Sequence, residues 1–302
     1  MENFLVSIII INYNGQDIIK DCVESTLLQS HNNNEIIVID NNSSDKSLDI
    51  LSQYQKSLKI VRSEKNLGCP GARNLALKYC KGKYVAFIDN DGRADRDWIE
   101  KGVKKMEQNP AIGAIAPLVL FAKENNLING IGGFINKNGA GEDYLYRQPL
   151  EKVKKFPSYA LYPMGCGMII RADIFKDNEF DEVLFNYYDD ADMGIKIWSS
   201  GYRIATESSS VVYHLFSQSD KYNKNKVYLC ERNRIYTHLK YLILSQFPAW
   251  ILKETIREIA VAQIYKINFF SIWWWNIKNF NRIKNRRKKN NNMKNIFPVL
   301  KI

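Results

Sequence analysis

Two groups of carboxylates and one histidine are the residues of this chain best suited to do chemistry. Asp89 and Asp91 stand two apart in Asp89-Asn90-Asp91, directly after the apolar run 84–88. Carboxylates at that spacing on a turn can converge on one divalent cation, and oxygen donors suit Mg²⁺ or Mn²⁺. The plainer reading is a solvated turn that closes a strand. Asp189, Asp190 and Asp192 follow Tyr187 and Tyr188 and precede the helical pattern 193–198. One acid there would cap the helix and complement its dipole. Three exceed that need, and one of them in a crevice could serve as a general base. His214 follows the strand-like run 211–213. Alone it is a packed or hydrogen-bonded histidine, and its value depends on what joins it.

Positioning these groups requires a regular frame, and the N-terminal third supplies one. Residues 6–11 and 36–39 are β-branched runs long enough for strands buried on both faces. Between them, residues 17–29 place Ile18, Ile19, Cys22, Val23 and Leu27 on one helical face. Residues 44–58 repeat the helical pattern, 59–62 form a third strand, 72–80 a third helix and 84–88 a fourth strand. This alternation predicts an α/β fold with a parallel sheet and right-handed crossovers, in which ligands bind beyond the carboxyl ends of the strands. The polar residues collect at those ends: Asn12-Tyr13-Asn14-Gly15 after the first strand, Asp40-Asn41-Asn42-Ser43 after the second and Asp89-Asn90-Asp91-Gly92 after the fourth. Residues 116–235 read as a mixed region with Gly-rich turns, a strand at 168–171 and a helix at 191–199. From Tyr236 the pattern is helical and aromatic.

Composition and missing motifs narrow the function classes. With 302 residues, 45% of them hydrophobic, the chain can build a sizeable core, which excludes a disordered or collagenous protein. The charge-free runs 108–122 and 156–170 both contain Pro and Gly and fall short of the roughly 20 apolar residues of a bilayer-spanning helix. No transmembrane helix is expected. Residues 1–13 lack the pattern of a signal peptide, so a cytoplasmic protein is expected. Five scattered cysteines without a Cys-x-x-Cys pair argue against a disulfide framework or a structural zinc site. There is no G-x-G-x-x-G after the first strand, and Gly68-Cys69-Pro70-Gly71 is not a phosphate-binding P-loop. Dinucleotide redox chemistry and P-loop hydrolysis are therefore disfavoured.

In order along the chain, "VSIIIINYNG", "IIVIDNNSSD", "NLGCPGARNLAL", "KGKYVAFIDNDG", "GCGMIIRADIF", "FDEVLFNYYDDADMGIKIWSSGYRI", "VVYHLFS" and "ERNRI" resemble the family 2 glycosyltransferases of GT-A fold, especially their rhamnosyltransferase-like branch. The resemblance covers about residues 5–235. It implies a nucleotide-diphospho-sugar transferase fold with a mostly parallel, Rossmann-like sheet, followed by C-terminal amphipathic helices. A catalytic domain of residues 1–235 is expected, with a nucleotide-binding half (1–115) and an acceptor-binding half (116–235), followed by a segment of residues 236–302. By the same resemblance, Tyr13 packs on the nucleotide base, Asp40 accepts its imide N–H, Arg73 contacts base or phosphate and Asp89 reaches the ribose. Asp91 and His214 hold Mn²⁺ or Mg²⁺ beside the diphosphate, Asp190 is the catalytic base, and Asp189 and Asp192 serve the acceptor. Asp189 stands where relatives usually carry Glu. The implied reaction is inverting transfer from a nucleotide sugar, UDP- or dTDP-linked in preference, to a glycan or polyprenyl-diphosphate-linked acceptor in cell-surface glycan synthesis. The competing readings are a nucleotidyltransferase, whose Gly-rich basic first loop is missing, and a nucleotide-sugar-binding scaffold without catalysis.

The tail carries a second signal. Residues 276–302 contain nine Lys or Arg and no acid, while residues 1–275 hold 34 bases against 32 acids. Residues 251–270 read as a helix packing on the domain. Ile272-Trp273-Trp274-Trp275 followed by Arg286-Arg287-Lys288-Lys289 suits a water–lipid boundary. An anionic membrane surface is thus expected ahead of nucleic acid as partner, with the protein peripheral on the inner face of the cell membrane. Deletion of 272–302 is expected to release it and to leave donor binding intact.

Overall fold

The computed structural model describes residues 3–124, 126–136, 140–215, 223–241 and 247–289. Four strands lie where the alternation placed them: β1 (Val6–Asn12), β2 (Asn34–Asp40), β3 (Lys59–Arg62) and β4 (Tyr84–Asp89). Between them run α1 (Ile19–Leu27), α2 (Ser47–Ser52) and α3 (Gly68–Leu77). The strands pair in parallel in the order β3-β2-β1-β4. Every residue of β1 is buried. Ile9, Ile11, Ile37 and Ile39 pack on one face of the sheet, and Val6, Ile8, Ile10, Ile36 and Val38 on the other. That arrangement is why these strands read as unbroken apolar runs rather than as an alternation.

The register sets Asn12 beside Asp40 and Ile11 beside Asp89, so three strand ends finish level along one rim. Past β4 the sheet changes character. After β5 (Gly92–Ala94) and α4 (Trp98–Gln108), the sheet is completed by β6 (Ile112–Phe121), β7 (Ile128–Gly130), β10 (Met168–Arg171) and β11 (Arg203–His214). The small hairpin β8 (Gly133–Ile135) and β9 (Gly141–Asp143) stands apart. β10 lies antiparallel between β4 and β6, and β11 runs parallel to β6 and antiparallel to β5. β5 and β6 were not anticipated as strands. β5 has only three residues, too few for a period, and β6 is buried throughout, so it shows no alternation.

α5 (Asp189–Ser199) packs against the sheet, followed after β11 by α6 (Lys224–Tyr241), α7 (Phe247–Tyr265), α8 (Phe269–Lys278) and α9 (Phe280–Lys289). The boundary expected at residue 235 falls inside α6. Ile235, Tyr236, Leu239, Ile272 and Ile283 form a core with Leu184 of the segment leading to α5, and Arg282 of α9 donates to Asp181 Oδ1 at 2.7 Å. α8 and α9 are thus part of the packed body. Removing 272–302 would strip that core and leave Asp181 without one of its cations, so a simple loss of membrane contact is no longer the expected result of the deletion. Residues 290–302, including Lys294 and Lys301, lie outside the described residues.

Candidate active site

The level strand ends open into a cavity of about 540 Å³, lined by Tyr13, Asp89, Asn90, Asp91 and His214 and by Asp189 and Asp190 of α5. Residues more than a hundred positions apart meet here because β11 runs back along β5. In that pairing His214 stands opposite Gly92, and Leu215 N–H donates to the Asp91 carbonyl at 2.9 Å. His214 Nε2 lies 3.2 Å from Asp91 Oδ2, and its Nδ1 lies 2.7 Å from Asn129 Oδ1 on β7. Burial alone would raise the Asp91 carboxyl, but the His214 contact outweighs it and holds the acid below its ordinary range. His214 is raised in turn: burial opposes its charge and the Asp91 hydrogen bond more than compensates.

Asp190 sits in the first turn of α5 and is partly buried. It accepts from its neighbour Ala191 N–H at 2.8 Å and from Gly165 N–H at 3.3 Å. Burial pushes its carboxyl up to about 7, with Asp189 adding in the same direction against the pull of Arg73. A carboxyl so placed is available as a base near neutral pH. Asp89 is pushed up to about 6, again chiefly by burial.

Arg73, from the "GARN" segment of α3, ties the acids together. It is 1% exposed and donates to Asp189, to Asp89 Oδ1 at 3.2 Å and to the Gly165 carbonyl at 3.0 Å. These three hydrogen bonds all go to protein groups, so Arg73, which also borders the cavity, holds two of its carboxylates in place. Asp189 borders the cavity, where the expected acceptor contact would lie, and its carboxylate is bound by Arg73. Arg rather than Lys suits this place because the planar fork serves several acceptors at once.

Two further candidate residues lie away from the cavity. Asp40 is completely buried and does not border the cavity. Its oxygens take Asn12 Nδ2 at 3.1 Å and Ser43 N–H at 3.2 Å, with Arg62 Nε at 3.6 Å, so its carboxylate is held by groups of the rim. Asp192, expected at the acceptor, is buried on the far side of α5. It is bound there by Lys196 at 2.7 Å, by Tyr241 Oη at 2.9 Å and by Lys240. At about 100° per residue, Asp190 and Asp192 stand about 200° apart around the helix and cannot share a face.

Several cavity residues had no assigned role in the sequence. Asp143, from β9, has its carboxyl pushed up to about 6 by burial. Gly165 and Cys166 line the floor, and Lys226 enters from α6. The "GCGM" motif was visible, but nothing in its composition told that its backbone would serve Arg73 and Asp190. Between these groups, residues 185–188 form an unusual turn. Phe185, Tyr187 and Tyr188 all have positive φ (62°, 67° and 67°), and Phe185 carbonyl accepts from Cys69 N–H at 2.8 Å. Gly68 must be glycine for this contact: its φ is +71°, and a Cβ there would stand 2.1 Å from the Phe185 oxygen.

Among the described residues no three His, Cys, Asp or Glu side chains form a metal-binding cluster. Asp91 and His214 are a two-ligand set, with Asn129 orienting the ring from behind. An oxygen and an imidazole nitrogen so arranged fit Mn²⁺ or Mg²⁺, whose remaining positions phosphate oxygens and water can fill.

Comparison with known proteins agrees with this architecture. The mannosyltransferase PcManGT from Pyrobaculum calidifontis, solved in complex with GDP-Man and Mn²⁺, superposes with a TM-score of 0.60 at 16% identity, covering 99% of this chain and 86% of that one; it shows the GT-A fold. A putative teichuronic acid biosynthesis glycosyltransferase, TuaG, of Bacillus subtilis is 39% identical over 123 residues, or 40% of this chain and 49% of that protein. The match thus spans about half the length of that relative. An Escherichia coli UDP-Glc:alpha-D-GlcNAc-diphosphoundecaprenol beta-1,3-glucosyltransferase, WfaP, is 47% identical over 88 residues, covering 29% of this chain and 35% of that one. The sequence model described as "Glycosyl transferase family 2" matches residues 7–178, more than half of the chain, and the protein therefore belongs to that family of glycosyltransferases.

Proposed function

We propose that the protein transfers a sugar, with inversion, from a nucleotide-diphosphate sugar to a hydroxyl of a lipid-linked or polysaccharide acceptor in cell-surface glycan synthesis. The observation that carries this reading is one cavity lined both by the Asp91–His214 pair and by the raised Asp190 carboxyl. The E. coli relative's diphosphoundecaprenol-linked acceptor supports a lipid-linked substrate.

Asp91 and His214 would hold the divalent ion, which when bound supplies positive charge against the departing diphosphate. Tyr13, half-exposed at the rim, offers its ring to the base, and Asp89, bordering the cavity, can take a ribose hydroxyl. Asp190 accepts the proton of the acceptor hydroxyl as that oxygen attacks the anomeric carbon on the face opposite the leaving group. Arg73 holds Asp89 and Asp189 in place beside it. Because Asp40 is turned inward, the preference for uracil or thymine rests on resemblance alone. Calorimetric titration with UDP, dTDP and GDP, each with and without Mn²⁺, tests it. One nucleotide is expected to bind only with the metal, and Asp91→Ala to weaken it by at least about tenfold, the loss of roughly one charge-assisted contact of 1.5–3 kcal/mol. Binding that ignores both metal and Asp91 would remove the metal assignment. No nucleotide binding at all would count against the donor reading and against a nucleotide-sugar-binding scaffold alike.

The outer faces of α7–α9 support the membrane part of the proposal. Among the described residues no helix is long and apolar enough to cross a membrane, yet Leu252, Ile256, Phe270, Trp274, Ile277 and Phe280 are each more than half exposed. Residues 259–302 contain no Asp or Glu. A second copy on this face would bring two basic surfaces together, whereas an anionic lipid surface matches both the charge and the apolar side chains. The protein is expected to co-sediment with phosphatidylglycerol vesicles at low salt. Phe270→Ser combined with Ile277→Ser should release it while leaving nucleotide binding intact. Retention of the double variant on the vesicles would count against this face.

A further inference from the structure

We infer that Asn233 is a positioning residue for Asp190, acting through the left-handed turn of residues 185–188. This rests on the reading of Asp190 as the base. The residue belongs to "ERNRI", a motif far from the acids in sequence, and its side chain is completely buried. Its Nδ2 lies 2.9 Å from the Leu184 carbonyl, 2.7 Å from that of Asn186 and 2.9 Å from that of Tyr187. One amide group thus gathers three carbonyls of the segment that ends where α5 begins.

The need for such a clamp follows from the backbone. Phe185, Tyr187 and Tyr188 lie in the left-handed region without being glycine, and each such residue costs about 1–3 kcal/mol unless its surroundings impose it. Tyr188 is the residue from which α5 starts, and Asp190 is in the first turn. The turn therefore sets where the α5 N-terminus and the Asp190 carboxyl stand relative to the cavity. Released from Asn233, the segment would relax toward ordinary φ values and swing the first turn of α5.

Asn233 is itself held. Arg232 Nε donates to Asn233 Oδ1 at 2.9 Å, and Arg232 Nη2 donates to the Leu184 carbonyl at 2.8 Å. The Arg232 guanidinium lies 4.1 Å over the Trp275 ring, and Asn276 Nδ2 donates to the Arg232 carbonyl at 3.2 Å. The Asn233 amide is thus braced by Arg232, which in turn packs on α8.

The test uses the full chain and the nucleotide sugar selected by the donor screen, following nucleoside-diphosphate release to water. Asn233→Ala is expected to lower kcat by roughly 10–100-fold, the scale of a small misplacement of a reacting group. It should leave donor KM and Mn²⁺-dependent nucleotide binding unchanged, and it should move the acid limb of the pH–rate profile. Asn276→Ala disturbs the same helix contact without cutting the three bonds and should do neither. A folded Asn233→Ala at wild-type kcat with an unmoved limb overturns the inference, as does an equal effect of Asn276→Ala. Should the alanine variant fail to fold, Asn233→Ser, which keeps one donor, replaces it with the same criteria. Full activity of Asp190→Asn would instead overturn the base assignment, whatever the Asn233 variants do.

Discussion

Asp190→Asn is expected to lower turnover by about 10²–10⁴-fold, the usual contribution of a general base, while nucleoside-diphosphate affinity with Mn²⁺ stays within about twofold, because the lost interaction is made only in the transition state. Asn keeps the volume of the side chain and can still accept one of the two backbone N–H groups, from Ala191 or Gly165, that Asp190 engages. The fold should therefore survive. The pH dependence follows from the sign of the shift. Burial, reinforced by Asp189, raises the Asp190 carboxyl to about 7, and the base works only when deprotonated. kcat/KM should then fall as pH drops through about 7 and level off above it. His214 also titrates upward of its ordinary value, so the variant decides which group the limb reports. A limb that persists unchanged in Asp190→Asn belongs to another residue.

Arg73→Met is expected to be strongly destabilising. The guanidinium has 2% of its side chain exposed and faces Asp189, of which 6% is exposed, and Asp89, of which 32% is exposed. Met fills much of the volume between the Phe87 and Phe180 rings that flank it but leaves both carboxylates without a partner. Breaking a buried pair from one side costs about 3–5 kcal/mol, to be read as a shift of the urea midpoint at constant slope. Burial already raises Asp89 to about 6 against the lowering effect of Arg73, and without Arg73 it must rise further. A carboxyl whose folded value exceeds its unfolded one binds more protons in the folded state, so stability falls as pH rises through that window. The penalty should accordingly be smaller at pH 5 than at pH 7.5. A loss under about 1 kcal/mol, or one independent of pH, would show that the acids are satisfied by water or by sharing a proton.

Much of this protein was determined by the sequence alone. The β-branched runs of β1, β2 and β4 have one stable solution, a parallel sheet covered on both faces, and that solution forces Tyr13, Asp89 and Asp91 onto a single rim. The acid pairs and His214 were visible as residue types, and the ordered motifs carried the family. Tertiary structure decided which of them face the cavity. Asp190 and Asp192 differ by two residues on one helix, yet one borders the cavity and the other is locked to Lys196, Lys240 and Tyr241, a choice made by how α6 packs on α5. Asp40 was turned inward by Asn12 and Ser43, and Arg73 was claimed by Asp89 and Asp189 before any ligand arrives. The grip of Asn233 on residues 184–187 was equally invisible. In each case a polar side chain is assigned by the partners that burial brings within hydrogen-bonding reach, and those partners lie tens of residues away, where local pattern carries no information about them.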